Sequence, residues 1–391
     1  MLYYRTRNRG GFRLVTCKRM LSVIRRRKVQ LLVLLAFVGI AVQACFSPNQ
    51  AAETHPSALD FSQFPLKKLS EYGFFKGDLN ALQPNDRVLA YEPAATLFTD
   101  YAFKQRFVWM PEGTSATFEA SQPDEPLNFP DRAILIKNFY YPADFSKPTG
   151  QRRIVETRLL VKQSGVWKAY PYRWNDEQTE ADYKVTGQTI PVGWKDTKGQ
   201  LQSIRYAMPN KNQCKSCHTR NDILMPIGPK VKQLNHPYAY ADGIENQLSR
   251  WMKMGYLKAT PEAIANVTPM VALNDPNASL DARARSYLDV NCGHCHNPKG
   301  PASTSGLLLN YEEKDPFHWG ILKSPVAAGI GAGPYKFDIN PGQGTASIMT
   351  FRMNSVHPGI MMPELGRVSI HQEGVELITR WINSLKKEQY R

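Results

Sequence analysis

The tightest constraint on this chain is a five-residue pattern that occurs twice. Cys214-Lys215-Ser216-Cys217-His218 and Cys292-Gly293-His294-Cys295-His296 both read C-x-x-C-H. Cysteines at this spacing fall on one side of a helical turn of about 3.6 residues, with a His directly behind them. The arrangement suits a flat ring held by two thioether bonds with an imidazole on its central iron, which is the attachment signal of haem c. A disulfide or a C-x-x-C redox pair would use the thiols but explains neither His. Two covalently bound haem c groups are therefore expected on Cys214, Cys217, Cys292 and Cys295, with His218 and His296 as iron ligands. Only 78 residues separate Cys214 from Cys292, few enough for the two groups to be neighbours.

The remaining cysteines, Cys17 and Cys45, lie near the start of the 391-residue chain. Arg25-Arg26-Arg27-Lys28 precedes an apolar run, Val29 to Val42, and Val42-Gln43-Ala44 ends it with a small residue at the cleavage position. Residues 1–44 thus read as a signal peptide, with Met20 as the start that gives a leader of ordinary length. The run is short of the roughly 20 residues a membrane span needs. Val42-Gln43-Ala44-Cys45 resembles a lipoprotein box, although Gln43 departs from its usual small or apolar residue. The expected location is the periplasm, or the outer membrane as a lipoprotein tethered by a lipid on Cys45, in a Gram-negative bacterium. The leader also accounts for most of the charge. Of 49 Lys and Arg, ten precede Ala44, leaving 39 basic against 34 acidic residues in place of the formal +15 of the whole chain. Nucleic acid is therefore not an expected partner.

Residues 45–59 read as a linker. From 60 to 207, runs such as Phe103–Met110, Ala133–Phe139 and Ile154–Val161 are rich in β-branched and aromatic residues, separated by Gly, Pro and Asp. The expected fold is multidomain: an antiparallel β-rich N-terminal domain, then two mostly α-helical c-type haem regions at 208–278 and 279–391. Tyr140, Tyr141, Trp167, Tyr172, Trp174 and Trp194 suit a β core, or a sugar-stacking surface. In the first haem region Ile227-Gly228-Pro229 places a proline carbonyl where it could orient His218. Its distal ligand stays open among Met208, Met225, Met252, Met254, Met270 and His236, or none.

In the last region, Leu280, Ala284, Tyr287 and Leu288 recur at helical spacing ahead of Cys292, with Ser279 or Asn277 as cap. Val375, Ile378, Ile382 and Leu385 form a second stripe behind Ser369-x-x-Gln372, which reads as a capping box. Tyr287 is expected against Trp381. Gly359-Ile360-Met361-Met362-Pro363 lies between the two helices. This order resembles a class I cytochrome c, and the resemblance implies that Met362 is the distal ligand of the second haem. Met361, His357 and His318 remain alternatives. Arg352 and Arg367 could reach propionates.

Leu97-Phe98-Thr99-Asp100-Tyr101-Ala102-Phe103-Lys104, Glu156-Thr157-Arg158, Asn212-Gln213-Cys214, Ile227-Gly228-Pro229-Lys230 and Asn246-Gln247-Leu248 resemble an uncharacterised proteobacterial family of dihaem c-type cytochromes, often encoded beside a right-handed parallel β-helix protein. Ala284 to His296 is similar to haem domains fused to quinoprotein sugar dehydrogenases. These resemblances imply single-electron transfer between envelope redox proteins, with a dehydrogenase donor or the β-helix protein as partner. Two other functions are compatible with the sequence. One is a haem enzyme, a peroxidase or an oxidoreductase of small nitrogen compounds, with an open first haem. The other is a binding module whose β domain docks a polysaccharide or the β-helix partner.

Overall fold

The computed structural model describes Pro56 and residues 59–390. The leader, Met20 and Cys45 lie outside the described residues. Thr54–Arg391 form one compact unit.

A six-stranded antiparallel sheet organises the N-terminal part, with strands in sequence order: β1 (Val88–Tyr91), β2 (Phe103–Trp109), β3 (Ile134–Pro142), β4 (Arg152–Gln163), β5 (Val166–Trp174) and β6 (Ala181–Tyr183). Consecutive strands pair throughout, and the tightest connection is the one between β4 and β5. Ser164 and Gly165 turn β4 into β5 with both φ values positive, 52° and 77°, the twist that a two-residue hairpin favours. β7 (Gln188–Lys195) and β8 (Leu201–Met208) form a separate hairpin that leads to the first C-x-x-C-H.

Strand alternation divides the sheet into two faces. One is mostly apolar: Phe107, Ile136, Leu159, Tyr172 and Trp174 bury themselves against Leu69, Tyr72 and Phe74 from the preceding segment, and buried Asn138 and Thr157 satisfy each other and the Trp174 indole. The other face is apolar at one end, where Val108, Leu135 and Trp167 meet Leu248 and Trp251. At the other end Phe139 and Tyr141 meet Trp194 and Tyr206. Of the six aromatics weighed for sugar stacking, Tyr141, Trp167, Tyr172, Trp174 and Trp194 are buried and Tyr140 is half-buried, so they serve as core.

Beyond Met208 the expected architecture is corrected: two mostly helical haem regions do not form. Residues 213–265 carry four short helices, α1 (Gln213–His218), α2 (Val231–Leu234), α3 (Gln247–Lys253) and α4 (Pro261–Ala265). Among them lie two hairpins, β9 (Thr219–Arg220) with β10 (Ile223–Leu224) and β11 (Pro237–Tyr240) with β12 (Gly243–Asn246). The C-terminal part adds α5 (Leu280–Leu288), α6 (Ile348–Met353) and α7 (Gln372–Ser384). Of these seven helices only α5 and α7, with 9 and 13 residues, exceed two turns. The reason is composition. Pro209, Pro226, Pro229, Pro237 and Pro261 punctuate the first region, and Pro301, Pro316, Pro325, Pro334 and Pro341 the long connection from α5 to α6. Each lacks a backbone donor and blocks continuation of a helix.

The two longer helices pack together, with Tyr287 and Trp381 in one core cluster. Tyr287 on α5 lies over Gly374 of α7, where an added Cβ would come within 2.2 Å of its hydroxyl oxygen. Trp381 donates its indole N–H to Asp281 at 2.8 Å. Ser279 caps α5 through Ala282 N–H, 3.1 Å. Ser369 does not cap α7, whose N-cap is His371, because its hydroxyl is turned to Asp100.

Candidate haem-binding site

Both C-x-x-C-H motifs open into one cavity of about 1310 Å3. Small-molecule pockets run to roughly 300–1,000 Å3, so the space exceeds what a single ligand of ordinary size requires. Cys214, Cys217 and His218 line it from α1, and Cys292, Cys295 and His296 from the π-helical turn that ends α5 and the turn after it. The two motifs touch. The Cys295 thiol lies 3.8 Å from the Ser216 carbonyl oxygen, and it also hydrogen-bonds Cys217, lowering the Cys217 thiol and raising its own.

Each His is held in the tautomer that iron ligation needs. His218 Nδ1 meets the Met225 carbonyl oxygen at 2.8 Å; a carbonyl only accepts, so the proton sits on Nδ1. His296 Nδ1 meets Ser305 Oγ at 3.1 Å, and that hydroxyl already donates to the Ala302 carbonyl at 2.7 Å, so it accepts from the ring. Nε2 of each ring is left with its lone pair. Burial pulls both imidazoles down to about 4, with Lys137 adding to the effect at His218 and His294 at His296. Both are therefore neutral near pH 7. The carbonyl that orients His218 is that of Met225 and not of Pro229, whose oxygen accepts from Leu127 N–H at 2.7 Å.

The glycine within the second motif has a steric cause. A Cβ on Gly293 would sit 3.1 Å from the Leu309 carbonyl oxygen and the Asn310 nitrogen. After the motif, a Cβ on Gly300 would fall 2.2 Å from the Cys295 carbonyl oxygen.

Met361 and Met362 both reach the cavity wall, whereas His357 and His318 do not line it. His357 Nδ1 accepts from Gly359 N–H at 3.2 Å, and His318 pairs with Glu313 at 3.2 Å. The loop bearing the methionines is fixed by Arg367, which is 6% exposed. Its guanidinium donates to the carbonyls of Met362 and Ser355, each at 2.9 Å, and of Ser369 at 2.9 Å. Arg352 Nε donates to the Ile360 carbonyl at 2.9 Å. Both arginines expected at propionates thus also brace the loop. Of the six residues open for the first distal position, Met208 alone lines this cavity. Met225 borders a smaller adjoining pocket, Met270 accepts from Gln233, and His236 is engaged with Glu92 and Gln247.

No family model, curated protein or solved structure matches this chain.

The short motifs singled out in the sequence fasten the sheet to the two haem motifs. Asp100, 1% exposed, accepts from Val368 N–H, Ser369 N–H and Ser369 O–H at 2.8, 2.9 and 2.8 Å. Phe98 stacks on His371 at 4.2 Å, and its N–H donates to Asn291, the residue before Cys292, at 2.8 Å. Lys230 forms a buried ion pair with Asp289 at 2.9 Å, joining the first haem region to the turn that carries Cys292. Asn246 caps α3, and Gln247 accepts from Glu92 N–H at 2.8 Å. What sequence reasoning missed is a set of cations on the sheet face, Arg106, Lys137 and Arg158, which also line the cavity. The available signal was charge at alternating positions inside strand-like runs.

Proposed function

We propose that this chain is an exported dihaem c-type cytochrome that passes single electrons between redox partners in the envelope of a Gram-negative bacterium. The observation that carries the reading is the meeting of both C-x-x-C-H motifs in one cavity, with Cys217 and Cys295 in contact. Haem c, when bound, supplies a reversible one-electron change at iron. The chain's own part is to hold the two attachment motifs side by side, which would keep two bound haems close enough to exchange an electron. Neutral His218 and His296, each with Nδ1 engaged, would hold the irons through Nε2. Met362 is the proposed distal ligand of the second haem; as a soft thioether it favours Fe(II) and a higher potential. Met208, which lines the same cavity, would be the corresponding ligand of the first. A dehydrogenase or a parallel β-helix protein is the proposed partner, and a lipid on Cys45 the proposed tether. Among the described residues no helix is long and apolar enough to cross a membrane.

The test is a mass and an absorption spectrum of the protein exported from a host that carries c-type haem attachment machinery, oxidised, reduced, and reduced under carbon monoxide. Two haems per chain with no spectral change under carbon monoxide support closed irons and electron transfer. A change in about half of the haem would mean one open iron and would favour the enzyme reading. A mass without haem would sink the proposal.

A further inference from the structure

The middle of the sheet carries like charges in register. On the face turned to the cavity, Leu89, Val108, Leu135 and Leu160 form an apolar row across β1 to β4, and the next row reads Tyr91, Arg106, Lys137, Arg158. Arg106 is directly opposite Lys137, and Lys137 directly opposite Arg158. Neighbouring strands are about 4.8 Å apart, and like charges placed opposite each other destabilise a sheet. Only Arg158 has a carboxylate, that of buried Glu156, which also accepts from Tyr206. Lys137 holds its ammonium over the Phe139 ring at 4.9 Å. Arg106 is 6% exposed and forms no hydrogen bond or ion pair among the described residues. A buried guanidinium left this way is costly without an anion. All three side chains line the cavity that contains Cys214 and His218. The other cavity arginines, Arg352 and Arg367, already donate to main-chain carbonyls.

We propose that Arg106, Lys137 and Arg158 form an anion site whose ligand is the propionate carboxylates of the haem carried on Cys214 and Cys217. The inference rests on the haem reading above and extends it to the residues that receive the acidic edge of the ring. A planar guanidinium with two free N–H directions is the side chain best shaped to grip a carboxylate. The same chemistry would accept a free inorganic oxyanion, and the experiment separates the two. With positive charge removed from beside the ring, the ferric state is favoured, so the reduction potential of that haem falls.

The protein exported from a host with c-type haem attachment machinery is first weighed to count haems. Redox titration and resonance Raman spectra of the propionate bending modes are then compared for wild type, Arg106→Gln, Lys137→Gln and the charge-keeping Arg106→Lys. The expected result is a fall in one of two midpoints, with shifted propionate bands, in both Gln variants, and recovery of the midpoint in Arg106→Lys. If Arg106→Gln fails to fold by circular dichroism, Lys137→Gln carries the same test. Two haems by mass with unmoved midpoints and bands would overturn the proposal and leave the haem reading standing. A wild-type midpoint that moves with added phosphate, and no longer does so in Arg106→Gln, would assign the row to a free oxyanion and overturn the propionate assignment. A mass without haem removes the haem reading itself and this proposal with it.

Discussion

Replacing Asp100 by Ala should separate the stability of the C-terminal helices from that of the sheet. One carboxylate oxygen takes two backbone N–H groups and one hydroxyl from Val368 and Ser369, just ahead of α7. Hydrogen bonds to a charged acceptor contribute about 1.5–3 kcal/mol each, but Val368 is 42% exposed, so water replaces part of the loss. A net cost of about 3 kcal/mol follows for Asp100→Ala, since two main-chain donors lose their acceptor. Asn keeps an acceptor oxygen without the charge and should cost about 1–2 kcal/mol. Gly loses the acceptor but suits the backbone, because Asp100 sits at φ 49°. That left-handed conformation burdens a residue with a Cβ by about 1 kcal/mol, so Asp100→Gly should be milder than Asp100→Ala by about that amount. The assay is urea unfolding of the haem-loaded protein, followed by haem absorbance and by far-ultraviolet circular dichroism. In Asp100→Ala the haem signal should change at lower urea than the dichroism. Coincident transitions within about 0.5 kcal/mol of wild type, or an Asn variant weaker than Ala, would refute the clasp.

Gly374→Ala should destabilise by about 1–3 kcal/mol, the usual cost of overpacking, because its Cβ would meet the Tyr287 hydroxyl; Tyr287→Phe should return part of the loss in the double variant, measured by urea midpoints. His371 is held down to about 4 by burial. A histidine with a lowered folded pKa takes up its proton more readily when unfolded, so stability falls as pH drops from about 6.5 through 4. His371→Phe, which keeps the stack on Phe98, should flatten that fall in thermal melts between pH 7 and 4. If the proposed Met362 ligation holds, Arg367→Gln should loosen the loop through Met362 and make the second haem bind carbon monoxide more readily than in wild type; identical spectra would show that the guanidinium is not what holds the loop. Met362→Ala should open the same iron, and Met361→Ala should not.

How far the sequence reaches depends on whether the information is local. The C-x-x-C-H motifs are legible because the proposed haem attachment and ligation would need fixed residues within five positions. The α5 and α7 stripes and the Ser164-Gly165 hairpin follow from helical period and turn chemistry, which neighbours alone determine. Helix does not extend through residues 208–391 as those stripes suggest, since the prolines there confine much of the chain to turns, short helices and short hairpins. The contact between Cys217 and Cys295 was decided by tertiary packing, as was the choice of Met225 rather than Pro229 to orient His218. The same holds for the capture of Ser369 by Asp100, which takes its hydroxyl away from the helix it would cap. These partners come from segments tens to hundreds of residues apart, and no local preference selects among competing acceptors. The row Arg106, Lys137 and Arg158 is the sharpest case. Each residue reads alone as a solvated charge, and only antiparallel register, burial and a shared cavity wall make the three a single site.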